Sequence, residues 1–426
     1  MNRNSLHTRP CGGYVMFVDM NSFFASCEQQ VNYYLRGRPV GVCVYPGENG
    51  CVIAPSIEAK QRGVKTGMRL REAMRLCPDL VPLETRPERY RAFHIRIMEV
   101  LRRYAEEVIP KSIDEAVIDL RSYQLVYPDP MALARQIKAD IRREVGDWLR
   151  CSIGIAPNAF LAKLGTELQK PDGLVMITPD NLDDILSGLQ LTDLPGIAER
   201  MAYRLKKGGI HTPLQLRYAS PQHLRRVCQS LIGLHWHYRL NFAEVDIMDH
   251  PYKTMQAMRQ ISAAQRRSPR VLEDLLVALC MTLERRMVRQ QVCCREVVVN
   301  FTYAYSRQWR QVIRLPRPIQ EGTWLLQAIR QRMEQFMLTH SCEPLINDQL
   351  TAMGVAVSDF IPAELVPLSL FEDPVREQNL LRAVYDIKDR FGPDKLLKAI
   401  ELTENQPMKD AIGFGSVKDL HVHDET

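Results

Sequence analysis

The sequence predicts an α+β protein of several domains, and three observations carry that prediction. At 426 residues the chain exceeds what one ordinary core absorbs, and three or four domains is the expectation. Between Cys151 and Ile177 apolar strands alternate with a helical pattern, the mark of a sheet with helices on one side. Between Met255 and Ser358 the elements read β-α-β-β-α-β, a second sheet with its own helices. With 46% hydrophobic and 25% charged residues, sizeable cores are available and wholesale disorder is disfavoured.

Taken in order, Tyr14–Asp19 is a short apolar strand ending in an acid. Asn21–Glu28 follows as a helix with Asn21 or Ser22 as its cap. An acid at the carboxyl end of a strand, just before a helix, is a common place to hold a metal-bound phosphate. Asp19 as a simple capping residue is the plainer alternative. Strands at Pro39–Tyr45 and Cys51–Ala54 flank a Pro-Gly turn, and helices at Ser56–Arg62 and Leu70–Leu76 stop before Gly63 and Pro78. The helix Pro87–Tyr104 is well signalled, with Tyr90, Phe93, His94, Ile97, Val100, Leu101 and Tyr104 along one face. His94 reads there as a satisfied packed residue. A helix at Asp129–Val145 leads to the strand Cys151–Ile155, the helix Asn158–Gln169, a turn at Lys170–Gly173 and the strand Leu174–Ile177.

Between two of these elements lies Ser112-Ile113-Asp114-Glu115, flanked by apolar strand-like residues. Neighbouring side chains of a strand point to opposite faces, so Asp114 and Glu115 share one object only if the chain bends there. Burying both unpaired is costly, and a bound cation is an economical explanation. A solvated acidic hairpin tip is the competing reading of this stretch alone.

Residues 179–250 read as short helices. Leu194-Pro195-Gly196-Ile197 precedes a helix at Glu199–Lys207 and a Gly208-Gly209 pair. Free backbone N–H groups at such a helix start suit a phosphate oxygen. From residue 251 to 360 there are 15 Lys and Arg against 9 Asp and Glu, whereas the rest of the chain balances at 41 against 41. The whole basic excess therefore sits in one region, as a polyanion-binding domain would have it. Arg266, Arg267, Arg270, Arg307, Arg310, Arg314 and Arg317 flank its strands rather than its apolar stripe of Leu272, Leu275, Leu276, Leu279, Leu283 and Met287. Exposed there, they could track a nucleic-acid backbone or form an ordinary solvated face. After Pro362, Val366–Asp373 is apolar between prolines and acids, as a linear docking motif would be. A helix at Arg376–Phe391 stops at Gly392-Pro393.

The 11 cysteines show no zinc-type spacing and suit a reducing cytoplasm. Met1–Gly13 lacks the apolar core of a secretory signal, and no apolar run is long enough to span a bilayer.

Four stretches in order, Tyr14–Glu28, Glu58–Gly67, Ser112–Glu115 and Ser152–Gly173, resemble the Y-family translesion DNA polymerases of the DinB and UmuC type. The resemblance spans residues 14–250 and, more loosely, 251–392. It implies a right-hand polymerase. The ferredoxin-like palm would be residues 14–35 and 78–180, and the small fingers 36–77. A helical thumb at 181–250 would hold duplex phosphates at the helix-hairpin-helix turn of Pro195, Gly196 and Ile197. An α/β little finger at 251–362 would grip DNA through arginines such as Arg266, Arg267, Arg307, Arg310 and Arg314.

By the same resemblance Asp19, Asp114 and Glu115 bind two Mg²⁺, with the Met20 carbonyl as a further ligand. Phe24, with Phe23 beside it, takes the steric-gate position that excludes a ribose 2′-hydroxyl. Lys170 and Lys60 contact the triphosphate. Ile57 stands where many relatives have a tyrosine, a departure closer to the UmuC branch. In the tail, 363–426, Leu368, Ser369, Leu370 and Phe371 resemble the pentapeptide that holds the bacterial beta sliding clamp, with Pro367 in place of the usual glutamine.

The activity implied is template-directed extension of a primer with dNTPs, at low fidelity, during DNA damage tolerance in a bacterial cytoplasm. Primer-template DNA and the clamp would be partners, and an UmuD-like subunit and a recombinase filament are possible further ones. A non-catalytic DNA- and clamp-binding adaptor is the alternative, although such relatives lose acids that are all present here. A nucleotidyl cyclase would share the palm but not the thumb turn, basic domain or clamp motif.

Overall fold

The computed structural model describes residues 13–45, 47, 50–247, 253–340, 344–367, 374–392 and 395–402. They fall into two compact units divided between Asp249 and His250.

The first unit runs β1 (Val15–Met20), α1 (Phe23–Val31), β2 (Val40–Cys43), β3 (Val52–Pro55), α2 (Ile57–Gln61), α3 (Leu70–Leu76), β4 (Val81–Glu84), α4 (Pro87–Arg102), β5 (Val108–Pro110), β6 (Glu115–Asp119), α5 (Pro130–Asp140), β7 (Cys151–Ala156), α6 (Ala159–Leu168) and β8 (Leu174–Met176). The short helices α7 (Leu182–Ser187), α8 (Glu199–Lys207), α9 (Pro213–Tyr218), α10 (Pro221–Cys228) and α11 (Ile232–Leu240) follow.

Its main sheet has the order β5-β6-β1-β7-β8, with β1 central and antiparallel to both neighbours. All six residues of β1 are buried. Met16, Val18 and Met20 pack with Tyr90, Phe93 and Ile97 of α4 and Leu133 and Ile137 of α5. Val15 and Phe17 pack on the other side with Phe160, Leu161 and Leu164 of α6 and with the helical segment around Trp236. Helices thus cover both faces, and the expectation of a one-sided sheet is corrected. A strand with no polar alternation needs cover on both sides.

α6 sits unusually close to the sheet. A Cβ on Gly154 would stand 1.9 Å from the Ala162 carbonyl oxygen, so only glycine lets the helix ride directly on β7. Asn158 fixes its start. Its side-chain oxygen accepts from Leu161 N, and its amide donates to the Arg239 and Ala243 carbonyls at 2.8 and 3.0 Å.

One local expectation changes and one strand is added. The helix expected over 129–145 is α-helical to Asp140 and closes in a π turn over Ile141–Val145. β4 had no sequence signal, being four residues with a proline inside, yet it pairs parallel to β2 in the order β3-β2-β4.

The second unit runs β9 (Thr254–Gln260), α12 (Pro269–Arg289), β10 (Val292–Tyr303), β11 (Gln308–Ile319), α13 (Gly322–His340), β12 (Leu350–Pro362) and α14 (Pro374–Phe391). The β-α-β-β-α-β reading holds. The strands form an antiparallel sheet in the order β11-β10-β12-β9. The stripe Leu272, Leu275, Leu276, Leu279, Leu283 and Met287 is buried against Val297, Val299, Phe301 and Val355. Ser268 caps α12 by accepting from Val271 N.

Beyond the sheet, α14 lays Leu381 and Tyr385 against Val288 of α12. There Glu284, 1% exposed, accepts from Gly322 N at 2.6 Å, the Tyr385 hydroxyl at 2.9 Å and Lys398 Nζ at 2.8 Å.

Candidate active site

The register of the first sheet sets Asp19 of β1 directly opposite Glu115 of β6. With Phe17 and Val117 they share the face under α6. Asp114 lies one residue earlier, in a turn closed by Lys111 N and Ser112 N donating to Glu115 O and by Glu115 N donating to Ser112 O. This is the bend that the adjacent acids require. Met20 N donates to Asp114 O at 2.8 Å and ties the turn to the end of β1.

His94 of α4 supports the turn from behind, with Nδ1 2.8 Å from the Ile113 carbonyl oxygen. Burial holds its imidazole pKa below the usual value, and the Ile113 carbonyl opposes this only in part. A histidine with a lowered folded pKa leaves the unfolded chain binding more protons. Its contribution is therefore full above about pH 6.5 and is lost as pH falls from there toward the folded pKa. Urea unfolding of the full chain between pH 8 and pH 5 should show this loss, and His94→Gln should flatten that part of the profile. An unchanged profile in the variant would assign the pH dependence to other groups.

α1 begins at Phe23 with Ser22 at the cap position. Ser22 is left-handed (φ 50°) and its hydroxyl makes no cap bond. The cap expected from Asn21 or Ser22 is thus not made. The Asn21 amide is used elsewhere, donating to Ser152 Oγ at 3.1 Å while its oxygen accepts from Asp172 N at 2.6 Å. Asn21 thereby holds the turn that carries Lys170. Phe23 and Phe24 are both buried. The Phe24 ring stacks flat on Tyr90, with centroids 4.3 Å apart. Tyr90 in turn donates to Glu28 at 3.0 Å, and Glu28 is also paired with Arg89.

Sequence reasoning missed Lys163. From α6 its ammonium pairs with Asp19, with Glu115 at 2.7 Å and with Glu167 at 3.0 Å. Lys170 pairs with Asp19 at 3.1 Å and Glu167 at 2.8 Å. The only signal was the spacing of Lys163 and Glu167 on one helix face, with Lys170 in the turn just after it, which an ordinary solvated ion-pair ladder also produces.

Burial raises the Asp114 carboxyl above the usual range against the Ser112 hydrogen bond, and Asp19 adds to it. Burial raises Glu115 as well, and Lys163 offsets this only in part. Burial works against the Lys163 charge, but Asp19, Glu115 and Glu167 outweigh it and hold its pKa up.

Asp19, Met20, Phe23, Phe24, Ile57, Lys60, Asp114, Glu115, Lys163, Glu167 and Lys170 all line one cavity of about 610 Å³. Among the described residues no three acidic, histidine or cysteine side chains are already gathered as a metal cage, and Asp19 and Glu115 are both paired with Lys163. The donor set nonetheless fits Mg²⁺. Asp19, Asp114 and Glu115 line the cavity as oxygen donors on neighbouring positions of β1 and the β5–β6 turn, with no thiolate or imidazole beside them, and such donors are what a hard cation takes.

The other expected residues lie elsewhere. Pro195, Gly196 and Ile197 form the turn before α8, with Gly196 at φ 84°, Ile197 buried and no side chain capping the helix at Ala198. Arg310 and Arg314 are exposed on the sheet face opposite α12 and α13, Arg307 is exposed before β11, and Arg267 is exposed in the turn before α12. Arg266 is half-buried and donates to the Ile261 carbonyl, so it is not the freely exposed arginine expected. Leu368, Ser369, Leu370 and Phe371 lie outside the described residues.

Known proteins match this chain over most of its length. The impB/mucB/samB family matches over residues 18–167, and its C-terminal domain over residues 252–370. A DNA polymerase IV of Pelotomaculum thermopropionicum is 30% identical over 91% of this chain and 95% of its own. A DNA polymerase IV of Moorella thermoacetica is 31% identical over 91% of this chain and 96% of its own. Among solved structures, a Y-family DNA polymerase chimera built on Dbh superposes with a TM-score of 0.68 at 24% identity, covering 82% of this chain and 99% of its own. The chain belongs to the impB/mucB/samB family, the Y-family DNA polymerases.

Proposed function

We propose that the 610 Å³ cavity is where a primer 3′-hydroxyl and a templated dNTP react, in a low-fidelity polymerase that copies damaged DNA. The observation that carries this reading is that Asp19, Asp114 and Glu115 converge on a cavity also lined by Phe24 and Lys170. Asp19, Asp114, Glu115 and the Met20 carbonyl would hold Mg²⁺. Bound there, the metal supplies Lewis acidity to the 3′-hydroxyl and charge neutralisation to the triphosphate. The carboxylates need not act as bases; their role is to fix positive charge where negative charge develops. Lys170 and Lys60 face the same cavity and would meet triphosphate oxygens. Ile57 also lines it and has no hydrogen bond to offer, which leaves more of that grip to the lysines.

In this reading the palm is residues 14–35 and 78–180, the fingers 36–77, the thumb 181–250 and the little finger 251–362. The turn Pro195–Ile197 and the arginines of the second unit, Arg310 and Arg314 foremost, would contact DNA phosphates. Primer extension across an undamaged and an abasic template tests the reading. Synthesis past the abasic site supports it, and failure on both templates refutes it.

Phe24 is the proposed sugar discriminator. Its ring is held flat against Tyr90, so it cannot swing aside for a 2′-hydroxyl without losing that stacking. Phe24→Ala should raise the ratio of ribonucleotide to deoxynucleotide use by about 100-fold, a few kcal/mol of steric exclusion. An unchanged ratio would leave Phe24 as core packing.

For the tail, Leu368, Leu370 and Phe371 would fill an apolar pocket of a sliding clamp. Leu370→Ala with Phe371→Ala should weaken clamp binding at least about tenfold and leave clamp-free extension intact. Binding that survives the double change would remove the docking role.

A further inference from the structure

Lys163 is set apart from the other lysines of the cavity by how it is placed. The glycine contact at Gly154 presses α6 onto the sheet and carries the lysine stem over the Asp19–Glu115 pair. Its ammonium reaches a carboxylate on each of the two neighbouring strands, and Glu167 one helical turn on. The Phe17 ring lies 5.1 Å away on the same face. The side chain is 20% exposed, and that of Asp19 only 7%. Two carboxylates facing each other across a strand pair repel unless a cation joins them. Lys163 supplies that cation from within the chain and is the one described ammonium that reaches both carboxylates, Lys170 touching Asp19 alone at 3.1 Å.

We infer that Lys163 is an internal counter-ion of the carboxylate pair, one that a divalent metal must displace from Asp19 and Glu115 before it can be held there. This rests on the polymerase reading of the site and adds a residue that regulates metal uptake. Glu167 gives the displaced ammonium a place to remain: it pairs with Lys163 already and accepts Lys170 as well. The exchange is a change of partner with no proton or bond transferred. Lys163 acts on the reaction only through the ligands it releases, which makes it a positioning residue.

Mn²⁺ binding to the full chain, followed by electron paramagnetic resonance without nucleotide, tests the inference. Lys163→Met should bind Mn²⁺ about tenfold more tightly than wild type, and its melting temperature should fall in EDTA and recover with Mn²⁺. Lys163→Arg keeps the charge and should behave as wild type. Unchanged or weaker Mn²⁺ binding in Lys163→Met overturns the counter-ion role; weaker binding would place Lys163 among the groups that attract the metal.

Asp114→Asn is the control for the site itself. If it binds Mn²⁺ as wild type does, the metal assignment fails rather than the role of Lys163. Amine labelling of the wild-type chain gives a second readout that needs no variant. Lys163 modification by an N-hydroxysuccinimide ester, read by mass spectrometry, should rise several-fold when Mn²⁺ is added. A rate that Mn²⁺ leaves unchanged also overturns the inference.

Discussion

Asp114→Asn should lower primer extension by about a thousandfold or more, leave DNA affinity within about twofold, and not lower the melting temperature. The loss follows if Asp114 is one of three carboxylates holding metal at the proposed reaction centre, where charge stabilisation is worth several kcal/mol. Burial raises the folded Asp114 carboxyl pKa above its unfolded value, so at neutral pH its charge costs the native state stability. A neutral isostere removes that cost. Activity and stability thus pull in opposite directions at this residue, as they do where a site is held against its own folding preference. Steady-state extension, DNA binding by anisotropy and a melting curve on one preparation decide it. Extension within tenfold of wild type would remove Asp114 from the site, and a large drop in melting temperature would make its role structural.

Lys398→Met should destabilise the second unit by about 3–5 kcal/mol. Glu284 is buried where α12 meets α14, and among the described residues Lys398 is its one charged partner. Without the ammonium, Gly322 N and the Tyr385 hydroxyl would be left to satisfy a buried charge, which neutral donors do only in part. Adding Glu284→Gln should recover most of the loss, since the pair is then removed together. Hydrogen exchange over α12, read by mass spectrometry, follows this unit separately in the intact chain. Equal exchange in wild type and Lys398→Met would show that Glu284 does not depend on the ion pair. The consequence for architecture is that residues 374–392 and 395–402 belong to the fold of the second unit, although the family match ends at residue 370.

Much of the site was legible from local pattern. Asp19 ends an apolar strand, and Asp114 and Glu115 stand together between two others; each fact is contained in a few residues. The register that sets Asp19 opposite Glu115 was not legible, because strands 96 residues apart give no local signal of which pairs with which. Lys163 was hidden for the same reason. Its helix spacing marks a charged face, but its position over the carboxylates depends on how closely α6 approaches at Gly154. The one-sided sheet was misjudged because alternating βα pattern shows that helices cover a sheet and not how they divide between its faces. Glu284 reads as one charge within the apolar stripe of α12, and its partners Tyr385 and Lys398 come from more than 100 residues away. The stripe itself, fixed by helical periodicity, was read correctly residue by residue.

If the proposed site is right, this cavity adds the nucleotide that the template specifies. Single-nucleotide incorporation tests it most directly: the full chain, Mg²⁺, a primer-template whose next template base is varied through all four, and each dNTP offered alone. The complementary dNTP should be added preferentially on every template, and EDTA should abolish addition. Addition that ignores the template base, or no addition with Mg²⁺ present, would contradict it.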